Sequence, residues 1–551
     1  MNPKWWKEQI VYQVYPRSFY DANGDGIGDL KGVLLKLDYL KLLGIDTIWI
    51  SPHFDSPNDD NGYDIRDYKK VMKEFGTMKD FDSLLEACHQ RSIRLVIDLV
   101  VNHTSDEHDW FVESRSSKDN TYRDFYIWQE GVKGTEPNNW TSFFGGSAWQ
   151  KTAETGEYYL HYFSKKQPDL NWENSKVRES VYDLMRYWLD KGVDGFRMDV
   201  ITFISKDQNF LDFSSEELKT PEIRYAKGPK LTTYLKEMNR EVLSEYDIFS
   251  VGEAFGINSE TMMSVSDERE QELDLVFLFD IIRIGREDWI QNDWTLPQLK
   301  KLFKNQSVTD PYHWPTIFLN NHDNPRSVSN FGNDMEYREK SAKLLALLTL
   351  TQRGTPFLYQ GEEIGMTNFH FNSIDQFDDL QVKGNLSQVL RNKLSEEAYL
   401  NHLNQSSRDH SRTPMQWKNG PQGGFSENEK TWFLVNPNFS EINVEDNLKN
   451  PESVFNFYKT LISIRKKSPE LIYADYEDLD PDHPHVFCYQ RVGGKQTYLV
   501  ILNFSNAQVS YNIPVFNSTN HIMISNTKNS LSTLESNLIV LDPWDALMIK
   551  L

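Results

Sequence analysis

Cysteine is scarce in this chain: two residues in 551, Cys88 and Cys488. Cysteines so few and so far apart make no disulfide framework, and two reduced thiols are expected. No stretch approaches the roughly 18 consecutive apolar residues of a membrane helix. The opening MNPKWWKEQIVYQVYP has no charged segment leading into an apolar core, so no signal peptide is expected. Basic residues are also in deficit: 59 Lys and Arg stand against 81 Asp and Glu, a formal net charge of −22. Nucleic acid and anionic membranes select basic surfaces, so neither is expected as a partner. The same balance disfavours a phosphorylated substrate. Repeats and low-complexity segments are absent. The expectation is a soluble, cytoplasmic protein, a monomer or weak oligomer.

Apolar residues are plentiful, 39% of the chain with 13% aromatic, which is globular composition. The length exceeds what one hydrophobic core serves, so two or three domains are expected. Strand-like runs alternate with helix-period segments. The runs are IVYQVYP (10–16), DTIWISP (46–52), RLVIDLVV (94–101), GFRMDV (195–200), IFSVGEAF (248–255), LDLVFLFD (273–280), TIFLNN (316–321) and TPFLYQGEE (355–363). Eight strands, each followed by helical spacing, predict an α/β fold of the (β/α)8 barrel type. Residues 104–174 break the rhythm and are too long for a plain loop, which predicts a subdomain inserted after the third strand. Beyond about 473, short alternating strands separated by turn residues predict a small antiparallel β-sandwich. The barrel is thus assigned to 1–103 and 175–472, the insertion to 104–174 and the C-terminal domain to 473–551.

GFRMDV carries two charges on what should be a buried strand. Alternation puts Phe196, Met198 and Val200 on one face, with Arg197 and Asp199 on the other. In such barrels catalytic groups sit at the C-terminal ends of strands. Other strands end in the same way: Asp98, Asn102 and His103 after the third, Glu253 after the fifth, His322 and Asp323 after the seventh. Each residue alone reads as a cap or turn residue. Three carboxylates, Asp199, Glu253 and Asp323, converging on one arginine point instead to glycoside chemistry, with one ionised nucleophile and one protonated acid. Arg197 would keep the nucleophile ionised.

DLVVNH (98–103), GFRMDV (195–200), VGEA (251–254) and NNHDNP (320–325) resemble, in order and spacing, the four signature segments of the α-amylase family, glycoside hydrolase family 13. QPDLNWEN (167–174) resembles a fifth. The resemblance spans essentially the whole chain. It implies Asp199 as nucleophile, Glu253 as general acid/base and Asp323 as the third carboxylate, working by retention through a covalent glucosyl intermediate. It further implies a closed, exo-acting glucose pocket. Asp60 and Arg412 would grip the terminal sugar, Tyr63 would be a stacking platform, and His103, Phe144, Phe163, Gln167 and His322 would be wall residues.

DANGDGIGDLKG (21–32) has the acidic spacing of a calcium loop, in Asp21, Asn23, Asp25 and Asp29, but lacks the glutamate that closes an EF-hand. It resembles the single calcium loop of the oligo-1,6-glucosidase group, where Ile27 would add its carbonyl. A structural Ca2+ and no organic cofactor are expected; a solvated acidic turn is the alternative.

Val200, after the nucleophile, matches the residue usual in enzymes acting on α-1,6 bonds, so an oligo-1,6-glucosidase with some transglucosylation is the best fit. A plain β-branched strand residue is the alternative. FDIIRIGRED (279–288) stands where sucrose isomerases, which share most of these motifs, carry an R-L-D-R-D-like stretch. Ile284 and Gly285 depart from that pattern, which disfavours isomerisation but leaves hydrolysis of isomaltulose or trehalulose open, beside an α-1,4-preferring glucosidase. A trehalose-6-phosphate hydrolase and a non-catalytic sugar-binding relative are further from the pattern.

Overall fold

The computed structural model describes residues 4–257, 265–287, 290–307, 310, 312–391, 394–515, 521–527 and 536–551. Eight parallel strands form one sheet: β1 (Val11–Val14), β2 (Thr47–Ile50), β3 (Arg94–Val100), β4 (Gly195–Asp199), β5 (Phe249–Glu253), β6 (Leu275–Phe277), β7 (Thr316–Ile317) and β8 (Thr355–Tyr359). Their order, β6-β5-β4-β3-β2-β1-β8-β7, wraps the sheet almost into a ring. The gap between β6 and β7 is spanned by the Thr316 hydroxyl, which donates to the Val276 carbonyl at 2.9 Å. Helices Met78–Gln90, Ser175–Asp190, Leu231–Glu241, Leu296–Gln306 and Arg338–Thr351 lie between the strands in sequence, as the alternation predicts.

Side-chain alternation sorts the strands into two faces. Val11, Trp49, Val96, Phe249, Val251, Leu275, Phe277 and Phe357 share one apolar cluster, the floor of the barrel interior. Phe196 and Met198 of β4 belong instead to the large core made with the surrounding helices. On the inward face, apolar residues give way toward the strand ends to Gln13, Asp98, Arg197, Asp199 and Glu253, all buried. The site chemistry therefore stands on a dry apolar floor, where charges act on each other strongly.

The insertion holds a three-stranded antiparallel sheet, Trp128–Gln129, Trp149–Lys151 and Tyr158–Leu160. Its core is not its own. Phe203, Phe213, Tyr225 and Ala226, from the segment after β4, pack with Trp140, Trp149 and Tyr162. Asn139 exchanges two hydrogen bonds with the Phe213 backbone, at 2.7 and 2.8 Å. The C-terminal strands are β9 (Asp475–Asp478), β10 (Val486–Val492), β11 (Thr497–Asn503), β12 (Val509–Asn512), β13 (His521–Ser525), β14 (Leu538–Leu541) and β15 (Ala546–Lys550). They form an antiparallel sheet ordered β9-β10-β11-β15-β13 and a β12-β14 pair, sharing a core that includes Cys488, Leu499, Ile501, Tyr511 and Leu541. Both cysteines are buried and free, and burial pushes each thiol up to about 12. Among the described residues no helix is long and apolar enough to cross a membrane.

His53, just beyond β2, is fully buried, stacked 4.8 Å from Phe81 and edge-on to Trp188. Neither ring nitrogen has a hydrogen-bond partner among the described residues. Burial lowers its pKa from 6.5 to about 3, so between those values the unfolded chain binds the proton that the folded chain refuses. Stability then falls as pH drops below about 6.5. His53→Phe is expected to stabilise the protein by about 1–3 kcal/mol, by removing unpaired buried polar atoms. It should also flatten the acid side of the stability curve, as read by chemical denaturation between pH 4 and 7.

Candidate active site

Arg197 is the centre of the site. It is 1% exposed and donates to three carboxyls. Nη1 reaches Asp98 and Asp199 at 2.7 Å each, and Nη2 reaches Glu253 at 2.6 Å. Strand register explains the convergence: Arg197 pairs with Asp98 on β3 and with Val251 on β5, so neighbouring strands deliver acids to both sides of one guanidinium. The Trp49 indole donates to Asp98 at 3.0 Å, and the same ring lies 5.1 Å from the guanidinium carbon. Buried charges are tolerable only when paired in this way.

The expected simple relation, in which Arg197 holds Asp199 ionised, is incomplete. Burial, followed by the neighbouring Glu253 and Asp98, raises Asp199 well above the usual carboxylate range against the pull of Arg197. Arg197 cannot distinguish Asp199 from Glu253, since it grips both. Like charges held this close, Glu253 and Asp98, add to burial in opposing the ionisation of Asp199.

Val200 does not continue the strand. β4 stops at Asp199, and Val200 adopts φ 34°, ψ 42°, a left-handed conformation that a β-branched residue rarely takes. The turn aims its N–H at Glu253 Oε2, 3.1 Å away. Its side chain leaves the strand face of Phe196 and Met198 and joins the insertion's aromatic cluster, which Phe163 and Phe255 also line. Strain of this kind costs about 1–3 kcal/mol and persists where surrounding contacts impose it.

Asp323 follows β7. Burial raises its proton affinity, but His322, Arg408 and Arg412 outweigh it and hold the carboxyl well below the ordinary range. The contacts are His322 Nε2 at 3.1 Å, Arg412 Nη2 at 2.9 Å and Arg408 Nη1 at 3.3 Å. Asp323 is thus the firmly ionised carboxylate of the three. Tyr63 lies parallel to His322, with its hydroxyl 2.6 Å from Nε2, and Gln13 Nε2 approaches His322 Nδ1 at 2.8 Å.

Asp60 is buried and accepts from Gln167 Nε2 at 3.1 Å, with Arg408 at 3.9 Å. Arg412 makes its close ion pair with Asp323. His103 bonds the Tyr63 carbonyl and approaches Gln167, and Phe163 flanks its ring at 5.3 Å. Phe144 lies under the Arg408 guanidinium at 5.4 Å. All thirteen expected catalytic and pocket residues thus border one region around Arg197 and Asp323.

Sequence reading missed Arg408, Asp379 and Lys206. Arg408 pairs with Asp379 as well as Asp323. Lys206 is fully buried and reaches Asp169 at 3.1 Å and also Asn102, tying the segment after β4 to QPDLN and to the end of β3.

FDIIRIG packs its aromatic end over the same mouth: Phe255 and Phe279 meet edge-on at 5.4 Å, and Arg283 lies 5.0 Å from Phe255. Gly285 takes φ 72°, and a Cβ there would meet the Asn292 carbonyl. Asp288 lies outside the described residues.

The loop 21–29 is wound by its own side chains. Asp21 accepts from Gly24 and Gly26, Asn23 from Asp25, Asp25 from Ile27, and Asp29 from Ala22, Asn23 and Gly32. Among the described residues no three His, Cys, Asp or Glu side chains converge as a metal cage. The donors on this loop are oxygens of two types, carboxylate and amide, with the Ile27 carbonyl in addition, a set suited to a hard cation.

The alpha amylase catalytic domain family matches residues 13–474. The oligo-1,6-glucosidase of Parageobacillus thermoglucosidasius is 48% identical, over all of both chains. The glucan 1,6-alpha-glucosidase of Streptococcus pneumoniae serotype 4 is 45% identical, also over all of both. Among solved structures, the isomaltulose synthase of Erwinia rhapontici NX5 superposes with a TM-score of 0.98 at 51% identity, covering 100% of this chain and 99% of that one.

The raised Asp199 sets a pH dependence. Attack needs Asp199 as carboxylate, so kcat/KM falls on the acid side through a limb above the ordinary aspartate value of 3.8. Arg197→Gln removes the group that opposes this rise. The acid limb should move to higher pH, with a stability loss of about 3–5 kcal/mol, measured by pH–rate profiles and denaturation.

Proposed function

This chain belongs to the α-amylase family, and on that premise we propose that it is an exo-acting, retaining α-glucosidase of the oligo-1,6-glucosidase kind. It removes terminal glucose from short isomaltose-like substrates. The observation that carries the mechanism is one guanidinium holding both Asp199 and Glu253. Asp199 and Glu253 also lie within hydrogen-bonding reach of each other, closer than the about 6.5–9.5 Å gap that an inverting enzyme keeps for water. Direct attack by one of them is the chemistry that remains.

When a glucoside enters, Asp199 faces the anomeric carbon as carboxylate, and Glu253 as the acid gives its proton to the glycosidic oxygen. Asp199 bonds to C1 as the C1–O bond breaks, and the leaving sugar departs with the Glu253 proton. Glu253, now ionised, removes a proton from water, whose oxygen displaces Asp199 from C1. The configuration is retained after two inversions. A sugar hydroxyl replacing that water gives transglucosylation. Asp323, kept ionised by His322, Arg408 and Arg412, accepts hydroxyls of the distorted ring. Asp60, Arg408, Arg412 and Asp379 wall the pocket beyond one glucose, which suits exo action.

A second reading is hydrolysis of isomaltulose or trehalulose. It is favoured by the Phe255–Phe279 pair and Arg283 at the mouth, which offer an aromatic and cationic surface to a fructosyl leaving group. A panel of isomaltose, panose, maltose, sucrose, isomaltulose, trehalulose and trehalose 6-phosphate separates the readings. Isomaltose and panose are expected to give the highest kcat/KM. A wide preference for maltose would sink the α-1,6 assignment, and a wide preference for isomaltulose would favour the second reading.

The loop 21–29 is proposed to hold one structural calcium through Asp21, Asn23, Asp25, the Ile27 carbonyl and Asp29. Calcium is then expected to raise Tm in chelator-treated protein, and Asp25→Ala should abolish that rise. A Tm indifferent to calcium in the unmutated protein would contradict the site.

A further inference from the structure

We propose that Gly384 is a positioning residue for the glucose pocket: lacking a side chain, it lets the helix Leu380–Arg391 close against the backbone of the inserted segment at Phe144. That contact fixes the roof of the pocket. The inference rests on the exo-acting reading above and deepens it.

Gly384 lies inside a 12-residue helix, where glycine is a poor choice for helix formation. Its neighbour across the cleft explains its presence. A Cβ on Gly384 would stand 1.8 Å from the Phe144 carbonyl oxygen and 2.9 Å from its carbonyl carbon. Both are backbone atoms that cannot swing aside. The opposing residue, Gly145, has φ +90°, and a Cβ there would come within 3.1 Å of the Gly384 carbonyl oxygen. Two glycines thus interlock, and alanine at 384 parts helix and insertion by more than about an ångström.

The helix is anchored at its start to the pocket wall. Asp379 accepts from the Gln381 N–H at 2.9 Å while pairing with Arg408. The N–H groups of Asp378 and Asp379 donate to Asp409 at 2.7 and 3.1 Å. Arg408 in turn lies over the Phe144 ring and reaches Asp323 and Asp60. The contacts close a ring: Arg408, Asp379, the helix, Gly384, Phe144 and back to Arg408. Moving Phe144 takes the aromatic face from under Arg408 and loosens its hold at Asp60 and Asp323. Asp199 and Glu253 stand on separate strands outside this ring. The expected consequence is weaker gripping of the terminal sugar with the bond-breaking groups undisturbed.

The test is steady-state kinetics of the full-length protein on isomaltose, with thermal melting alongside, for Gly384→Ala, Phe144→Ala and, as an exposed control on the same helix, Lys383→Ala. Gly384→Ala is expected to raise KM about tenfold or more with kcat changed less than about threefold, the signature of lost binding shared by ground and transition states. Phe144→Ala, which creates no clash, should also raise KM, and an unaltered KM there would cut the link from the helix to the pocket even if Gly384→Ala does not fold. Lys383→Ala should leave both constants unchanged. A glycine retained for helix packing alone predicts that the clash lowers Tm while KM stays unaltered. That outcome, or an unaltered KM in Phe144→Ala, overturns the proposal. Failure of the unmutated protein to release glucose from isomaltose would instead overturn the exo-glucosidase reading, before any variant is compared.

Discussion

The buried guanidinium of Arg197 is the constraint on which the rest of the site depends. Three carboxyls cannot be brought to the rim of an apolar barrel floor unless a cation meets them there, and Arg197 meets Asp98, Asp199 and Glu253 with its two terminal nitrogens. The guanidinium suits the task because its fork is planar and keeps its charge when buried. It also sets the chemistry. Holding two carboxyls side by side sets the group that attacks next to the group that protonates the leaving oxygen.

A second cationic centre stands across the pocket. Arg408 and Arg412 do for Asp323 what Arg197 does for the pair, but with a different outcome. There the cations and His322 outweigh burial, and Asp323 is held ionised. Asp323 is thus committed to charge while Asp199 is pushed toward its protonated form, two residues of the same kind in contrasting surroundings. The roof over this second centre comes from elements that belong to no barrel strand: the insertion, through Phe144, and the helix Leu380–Arg391.

The barrel and its acids were legible because both follow strand alternation. A β-strand period of two places Arg197 and Asp199 inward wherever Phe196 and Met198 face helices, and strand-end polar groups mark the open end. Val200 shows where that logic stops. Sequence alternation carries on through it, whereas the chain turns left-handed there to present an N–H to Glu253. Arg408, Asp379 and Lys206 were illegible for another reason. Their partners come from distant segments without periodicity, and only the fold brings them together. The insertion's shared core is similar: Phe210 and Phe213 lie after β4 in a stretch with neither helical nor strand spacing, so nothing in it announces a home beside Trp140.

The central claim is that Arg197 readies Asp199, among three buried carboxyls, to take the glucosyl group. Trapping the intermediate tests it most directly. The protein would be inactivated with a 5-fluoro-glucosyl fluoride, digested and analysed by mass spectrometry. The account predicts a single glucosyl ester on the peptide containing Asp199, within GFRMDV. An ester on Glu253 or Asp323, or turnover that releases β-glucose without any ester forming, would contradict it.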